Sequence, residues 1–402
     1  MEMFLLLIIS LLTLFVSVSS YNVPAIFTFG DSIFDAGNNH FIKNCTAQAD
    51  FPPYGSTFFH YPTGRFTNGR TVADFVAQFI GLDLQKPYLQ VEMEIVKGIR
   101  RSYPSNGVNF ASAGSGVLRE TNMDLVSHVP IPCRYVTGTA FHAHQLSFLT
   151  FNVGVTQGVM SIQKQLQQFQ TLRKLNKIDK KLIRQSIFLF ESGSNDIFNY
   201  FIPFEPPTLD PDAFVHAMLT EVGNFIEQIY KLGARRIAVF ALGPVGCVPA
   251  RTLLPGAPIT RCYGKMNRMV KNYNLGLDSL VKDIPNKYPG AVGVYGAVYN
   301  IVQQFRLTPK HYGNATPLHV LYIRFSNTSS ACCGDGTLRG MLQCGKEGYK
   351  ICESPNEFLF WDYFHPSEHT YMLISKALWG GKQSWIRPLN LKTLANITLT
   401  PS

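Results

Sequence analysis

Five short apolar runs punctuate the chain, at 25–29, 108–111, 187–190, 237–242 and 292–295, each closed by polar or glycine-containing turns. None alternates strictly between apolar and polar positions, which is the pattern of strands buried on both faces. Between and after them lie helical patterns at 71–80, 161–175, 211–232, 262–282 and 367–378, with Pro211 placed to start a helix and Gly233 to end one. Strand and helix alternate. This predicts an α/β protein with a central parallel sheet covered on both sides, a three-layer α/β/α domain whose functional site lies beyond the C-terminal ends of the strands.

The chemically suggestive residues fall at that edge. Ser32 follows the first run, Gly114 the second and Asn195 the third, while His365 stands just before the last helix. A serine hydroxyl is a poor nucleophile at neutral pH, so it needs a base within hydrogen-bond reach and donors for the oxyanion that forms on attack. Asp362 and His365 are three residues apart, a spacing that brings both side chains to one side of a turn. Asp362 is expected to fix the imidazole tautomer and His365 to move the Ser32 proton. The expected oxyanion donors are the backbone N–H of Ser32, Gly114, and the Asn195 amide. Position 34 is Phe, so Ser32 is not in a G-x-S-x-G elbow, and the α/β-hydrolase fold loses support. The aromatics Phe34, Phe198, Tyr200 and Phe201 stand near these blocks and read first as core packing, second as an apolar pocket wall.

Charge and composition narrow the setting. An apolar run at 4–18 followed by Ser19 and Ser20 reads as a secretory signal peptide over 1–20, although Glu2 is an unusual n-region residue. No later segment offers the roughly 18 apolar residues of a membrane span, so a soluble, secreted chain is expected. Four N-glycosylation sequons, at Asn44, Asn314, Asn327 and Asn396, suit that route. So do eight cysteines. Their spacing does not fix connectivity; the expected pairs are Cys247 with Cys262, and Cys332 and Cys333 with Cys344 and Cys352, with no metal site. With no linker or repeat to divide it, the chain at 21–402 reads as a single domain. The net charge of +10 is spread out and lacks basic runs interleaved with aromatics, which argues against nucleic acid. No cofactor or obligate partner is implied, and the oligomeric state is not legible.

At this point the chain resembles the plant-type secreted GDSL esterases/lipases of the SGNH hydrolase superfamily. The blocks that carry the likeness are FGDSIFDAGNN with Ser32, NFASAGSG with Gly114, GSNDIFNY with Asn195 and WDYFHP with Asp362 and His365. ADFPPYG, PTGRFTNGR, GPVGCVP and Cys332-Cys333-Gly334 are similar too. The resemblance implies a flavodoxin-like α/β/α fold, metal-free hydrolysis of carboxylic or lipid esters, an extracellular location and a small-molecule ester substrate. Gly114 rather than Gly116 is taken as the oxyanion glycine. Acyl transfer from the same acyl-enzyme, or a non-catalytic binding protein of the same fold, are the other readings.

Segment 126–153 departs from the family pattern, since its removal leaves ETNMDLGVTQGVMSIQKQL, a smooth loop and helix. It reads as a retained intron, with a surface loop near the substrate entrance as the competing account. Without Cys133, which lies in it, Cys45 is the expected odd thiol. A smaller departure, NATPLHVLYIR, follows Gly313.

Overall fold

The structure, a computed structural model, describes residues 21–43, 45–122, 158–202, 207–308 and 325–399. The expected signal segment 1–20, segment 126–153 with Cys133, and the sequons at Asn44 and Asn314 lie outside the described residues.

The apolar runs become strands β1 (Ile26–Gly30), β2 (Gly107–Asn109), β3 (Ile187–Glu191), β4 (Arg236–Phe240) and β5 (Val292–Gly296), joined by a short β6 (Ile386–Arg387). Their order across the sheet is β6–β5–β4–β3–β1–β2, parallel throughout except for β6 on β5. The first and third strands run side by side in register, Phe29 opposite Phe190 and Gly30 opposite Glu191. Nearly every strand residue is buried, which is why the runs carry no alternation.

Helices α1 (Val72–Ile80), α2 (Ile162–Lys174), α3 (Ser194–Tyr200), α4 (Pro211–Leu232), α5 (Gly264–Lys282), α6 (Val298–Leu307) and α7 (Glu368–Gly380) cover the sheet. Helices α1, α7 and α6 pack in series on one face, α2, α4 and α5 on the other, giving the α/β/α layering. Local chemistry sets several ends. Asp210 accepts from the Asp212 and Ala213 amides to start α4, and Gly233, at φ 117°, ends it in the left-handed region. Ser161 and Ser367 cap α2 and α7 by accepting from Lys164 and Thr370. The fourth expected helix begins two residues late, at Gly264, because Cys262 is tied to Cys247 and the Tyr263 amide donates to the Gly246 carbonyl. The expected 108–111 strand stops at Asn109, whose side chain instead accepts from the Ala111 amide and donates to the Phe34 carbonyl. Helices α3, α6 and Tyr88–Val96 were not expected from the sequence.

The main core holds rings from both faces, among them Phe27, Phe29, Phe110, Phe169 and Phe188. Truncating one such ring costs about 3 to 5 kcal/mol. A second, smaller cluster gathers Tyr54, Phe66, Trp361, Cys332, Cys333 and Cys344. Three disulfides join Cys247 to Cys262, Cys332 to Cys352 and Cys333 to Cys344, resolving the two pairings left open for the Cys332–Cys352 group. Cys45 is buried and has no disulfide partner among the described residues. Among those residues no helix is long and apolar enough to cross a membrane.

Candidate active site

In a sheet ordered 2-1-3-4-5, successive connections leave β1 and β3 in opposite directions, opening a crevice at their C-terminal ends. Ser32 turns off the end of β1 and Asn195 lies in the first turn of α3, directly after β3. Gly114 follows β2. The loop carrying Asp362 and His365 arrives from β-strand Phe358–Phe360 and ends where α7 begins. All five residues expected from the sequence thus reach one place, four of them (Ser32, Gly114, Asn195 and His365) lining the same cavity of about 190 Å³.

Three of them form one hydrogen-bonded line. Ser32 Oγ lies 2.8 Å from His365 Nε2, and His365 Nδ1 lies 2.8 and 2.9 Å from the two oxygens of Asp362. With the proton on Nδ1, the imidazole donates to Asp362 and accepts from Ser32. Asp362 is fully buried and accepts from three further donors: the Phe364 amide at 2.9 Å, the His365 amide at 2.8 Å and Tyr54 Oη–H at 2.7 Å. Hydrogen bonds to a charged acceptor contribute about 1.5 to 3 kcal/mol each, enough together to keep a carboxylate in a dry place. Phe66 packs its ring against the imidazole at 4.9 Å, fixing its plane from the other side.

The donors expected to face an oxyanion are arranged differently. Gly114 sits at φ 83°, a left-handed conformation that suits glycine, and its carbonyl accepts from Asn122 Nδ2 at 2.7 Å. Gly116 is turned away from the cavity: a Cβ there would meet the Asp196 carboxylate at 2.4 Å. That carboxylate accepts from the Val117 and Leu118 amides and from Thr121, fixing the loop behind Gly114. Neither the Ser32 nor the Gly114 N–H donates to any acceptor among the described residues. Asn195 Nδ2 donates to the Ser115 carbonyl at 2.9 Å, and its other hydrogen has only a long 3.4 Å approach to Asp31. Three N–H groups therefore have capacity to spare beside Ser32.

The motif text between these residues stitches the loops together. Asp35 accepts from the Gly37, Asn38 and Ala113 amides. Asn38 donates to the carbonyls of Asn109 and Ala111, and Asn39 to those of Ala47 and Ala113. The loop of Ser32 and the loop of Gly114 are thus one hydrogen-bonded unit. Burial pushes the Asp35 carboxyl up to about 6, opposed by its three amide donors.

Sequence reasoning missed Tyr54, Asp35 and Asn38 as site-building residues, although ADFPPYG and DAGNN were the blocks that carried them. Of the four aromatics, Phe34 and Phe198 line the cavity, whereas Tyr200 and Phe201 pack against Phe214 and Tyr263. The cavity continues past Ser32 into apolar walls from Phe240, Val298, Val302, Ile374 and Leu378. Asn396 is exposed at the end of a short C-terminal helix, Leu391–Asn396, and Asn327 is half-buried.

Comparison with known proteins identifies the family. A family model described as GDSL-like Lipase/Acylhydrolase matches residues 26–378. The chain is 58% identical to GDSL esterase/lipase 6 of Arabidopsis thaliana over 398 residues, covering 99% of this chain and 97% of that protein. It is 31% identical to GDSL esterase/lipase 7 of the same plant, over 93% of this chain and 92% of that one. With GDSL esterase/lipase 5 the identity is 30%, over 94% and 88%.

Proposed function

The chain belongs to the GDSL-like lipase/acylhydrolase family and is a carboxylic ester hydrolase, and from that premise we propose that Ser32 is its nucleophile in an acyl-enzyme mechanism. The observation that carries the proposal is the unbroken line from Ser32 Oγ through His365 to the buried Asp362, opening on the cavity.

Ser32 Oγ attacks the ester carbonyl while His365 Nε2 takes its proton. The Asp362 carboxylate holds the imidazole ring and stabilises the imidazolium that forms. Negative charge on the carbonyl oxygen is received by the N–H groups of Ser32 and Gly114 and by the second hydrogen of Asn195 Nδ2, which exchanges its long contact to Asp31 for a short one. His365 then protonates the departing alkoxide. Water attacks the acyl-enzyme with His365 as base, and Ser32 is regenerated.

The apolar walls beyond Ser32 suit an acyl chain. A cavity of about 150 Å³ lined by aliphatic and aromatic groups holds benzene; the slightly larger space here fits an acyl portion of about six to eight carbons. The apolar N-terminal run, the three disulfides and the exposed Asn396 sequon support a secreted chain, cut near Ser20 and glycosylated at Asn396. The mechanism is tested by rapid mixing with chromogenic esters of graded chain length. A burst of alcohol stoichiometric with enzyme, largest for medium chains and absent in Ser32→Ala, is expected; a burst that survives in Ser32→Ala contradicts the assignment.

A further inference from the structure

Two buried carboxyls stand directly behind Ser32, and the hydrolytic scheme uses neither. Asp31 lies in the turn after β1 and Glu191 closes β3, so adjacent strand ends bring them together at the switch point. The spacing is enforced by backbone: a Cβ on Gly30 would lie 2.1 Å from the Glu191 carbonyl oxygen, so only glycine allows the strands this close. Both side chains are buried, both line the cavity, and each bears directly on the proton affinity of the other.

The donors around them are few. Asp31 accepts from the Ile33 amide at 3.0 Å and, at 3.4 Å, from Asn195. Glu191 Oε2 is buried and finds no donor among the described residues. The titratable groups bearing on the pair are Asp196 from α3, Tyr273 from α5, Tyr371 from α7, and His365 from the loop before α7. None of these is a lysine or arginine. Two buried carboxyls at adjacent strand ends, with no neutralising cation beside them among the described residues, do not both ionise in a dry site.

We propose that Glu191 is a positioning residue: it keeps its proton at neutral pH and donates it to Asp31, so that the pair carries one negative charge and Asp31 remains an acceptor for the Ile33 amide and for Asn195. This fixes the turn that presents Ser32 and sets the resting position of the Asn195 amide. It also keeps a second negative charge away from the donors that receive the oxyanion. The role rests on the reading of Ser32 as nucleophile and Asn195 as oxyanion donor. Burial pushes Asp31 up to about 6 and Glu191 well above the usual carboxyl range. Raising the pH strips the remaining proton from the pair, so activity is expected to fall on the alkaline side.

The test uses the full-length protein with Glu191→Gln, which retains a donor but cannot ionise, and Glu191→Leu, which has none. For wild type, kcat/KM is expected to fall about tenfold or more at alkaline pH and to stay flat in Glu191→Gln; Glu191→Leu is expected to lose about 30-fold in kcat at neutral pH with KM nearly unchanged. An infrared difference spectrum between wild type and Glu191→Gln at neutral pH reads the proton independently of activity, as a protonated-carboxyl stretch present only in the wild type. Superimposable pH profiles, or absence of that stretch, would overturn the proposal. A folded wild type that fails to react with a fluorophosphonate at Ser32 would count against the nucleophile itself, and would overturn the positioning role with it.

Discussion

The two sides of the Ser32 hydroxyl are built to different degrees of completion. On the histidine side every partner is in place: Asp362 accepts from His365, two backbone amides and Tyr54, all within 2.9 Å. On the opposite side the proposed oxyanion donors are present but uncommitted, with two backbone N–H groups unbonded among the described residues and the spare Asn195 hydrogen at 3.4 Å from Asp31. Preorganisation in the absence of substrate is needed on one side more than on the other. A base must hold its tautomer all the time, whereas oxyanion donors must stay free until charge develops. What is fixed on that side is the backbone carrying the donors, through Asp35, Asn38, Asn39 and Asp196.

The largest effect is expected on the histidine side. Asp362→Asn should lower kcat by about 10⁴-fold with little change in KM, because the amide favours the wrong imidazole tautomer; a loss under tenfold would mean that His365 does not depend on Asp362. The same substitution tests whether the line of hydrogen bonds is cooperative. On the donor side, Asn195→Ala should cost about 10² to 10³-fold in kcat. Equal losses in kcat and in substrate binding would indicate that Asn195 holds the ground state instead.

Stability supplies a third contrast, because the loop-stitching carboxyls are buried with raised affinity for protons. The folded-state values of Asp31 and Asp35, each about 6, lie above the ordinary 3.8. The folded state therefore binds protons more tightly than the unfolded chain does. The stability associated with that binding is fully present below pH 4 and is lost as pH rises through 6, by an amount on the order of 3 kcal/mol for Asp35. Urea midpoints are expected to be higher at pH 5 than at pH 8, and to lose part of that difference in Asp35→Asn; midpoints that rise with pH would reverse the sign. Gly114→Ala is the mildest change. Its φ of 83° and the 3.2 Å approach of a new Cβ to Val159 should shift the loop by a few tenths of an ångström and cost about tenfold in kcat.

Much of this was legible in the chain. Continuous apolar runs announced buried parallel strands, and the motif blocks pointed to Ser32, Gly114, Asn195, Asp362 and His365, which the fold gathers at one edge. Tyr54 was not legible as a partner of Asp362 because the contact spans 308 residues and depends on how the second core cluster packs. Helix α3 was hidden inside a block that reads as a turn, since Gly193-Ser194-Asn195 resembles loop text until Gly193, at φ 126°, is seen to lead into a helix. Glu191 gave no sign of the role proposed for it, because a single acid at the end of an apolar strand acquires meaning only when Asp31 from the neighbouring strand meets it. The choice between Gly114 and Gly116 rested on family likeness alone; in the fold, Asp196 occupies the space beside Gly116.

Whether Ser32 is an activated nucleophile is tested by labelling the full-length protein with a fluorophosphonate probe, followed by peptide mapping. A single adduct on Ser32 is expected, abolished in Ser32→Ala and strongly slowed in Asp362→Asn. A folded protein that takes no label, or takes it at another residue, would contradict it.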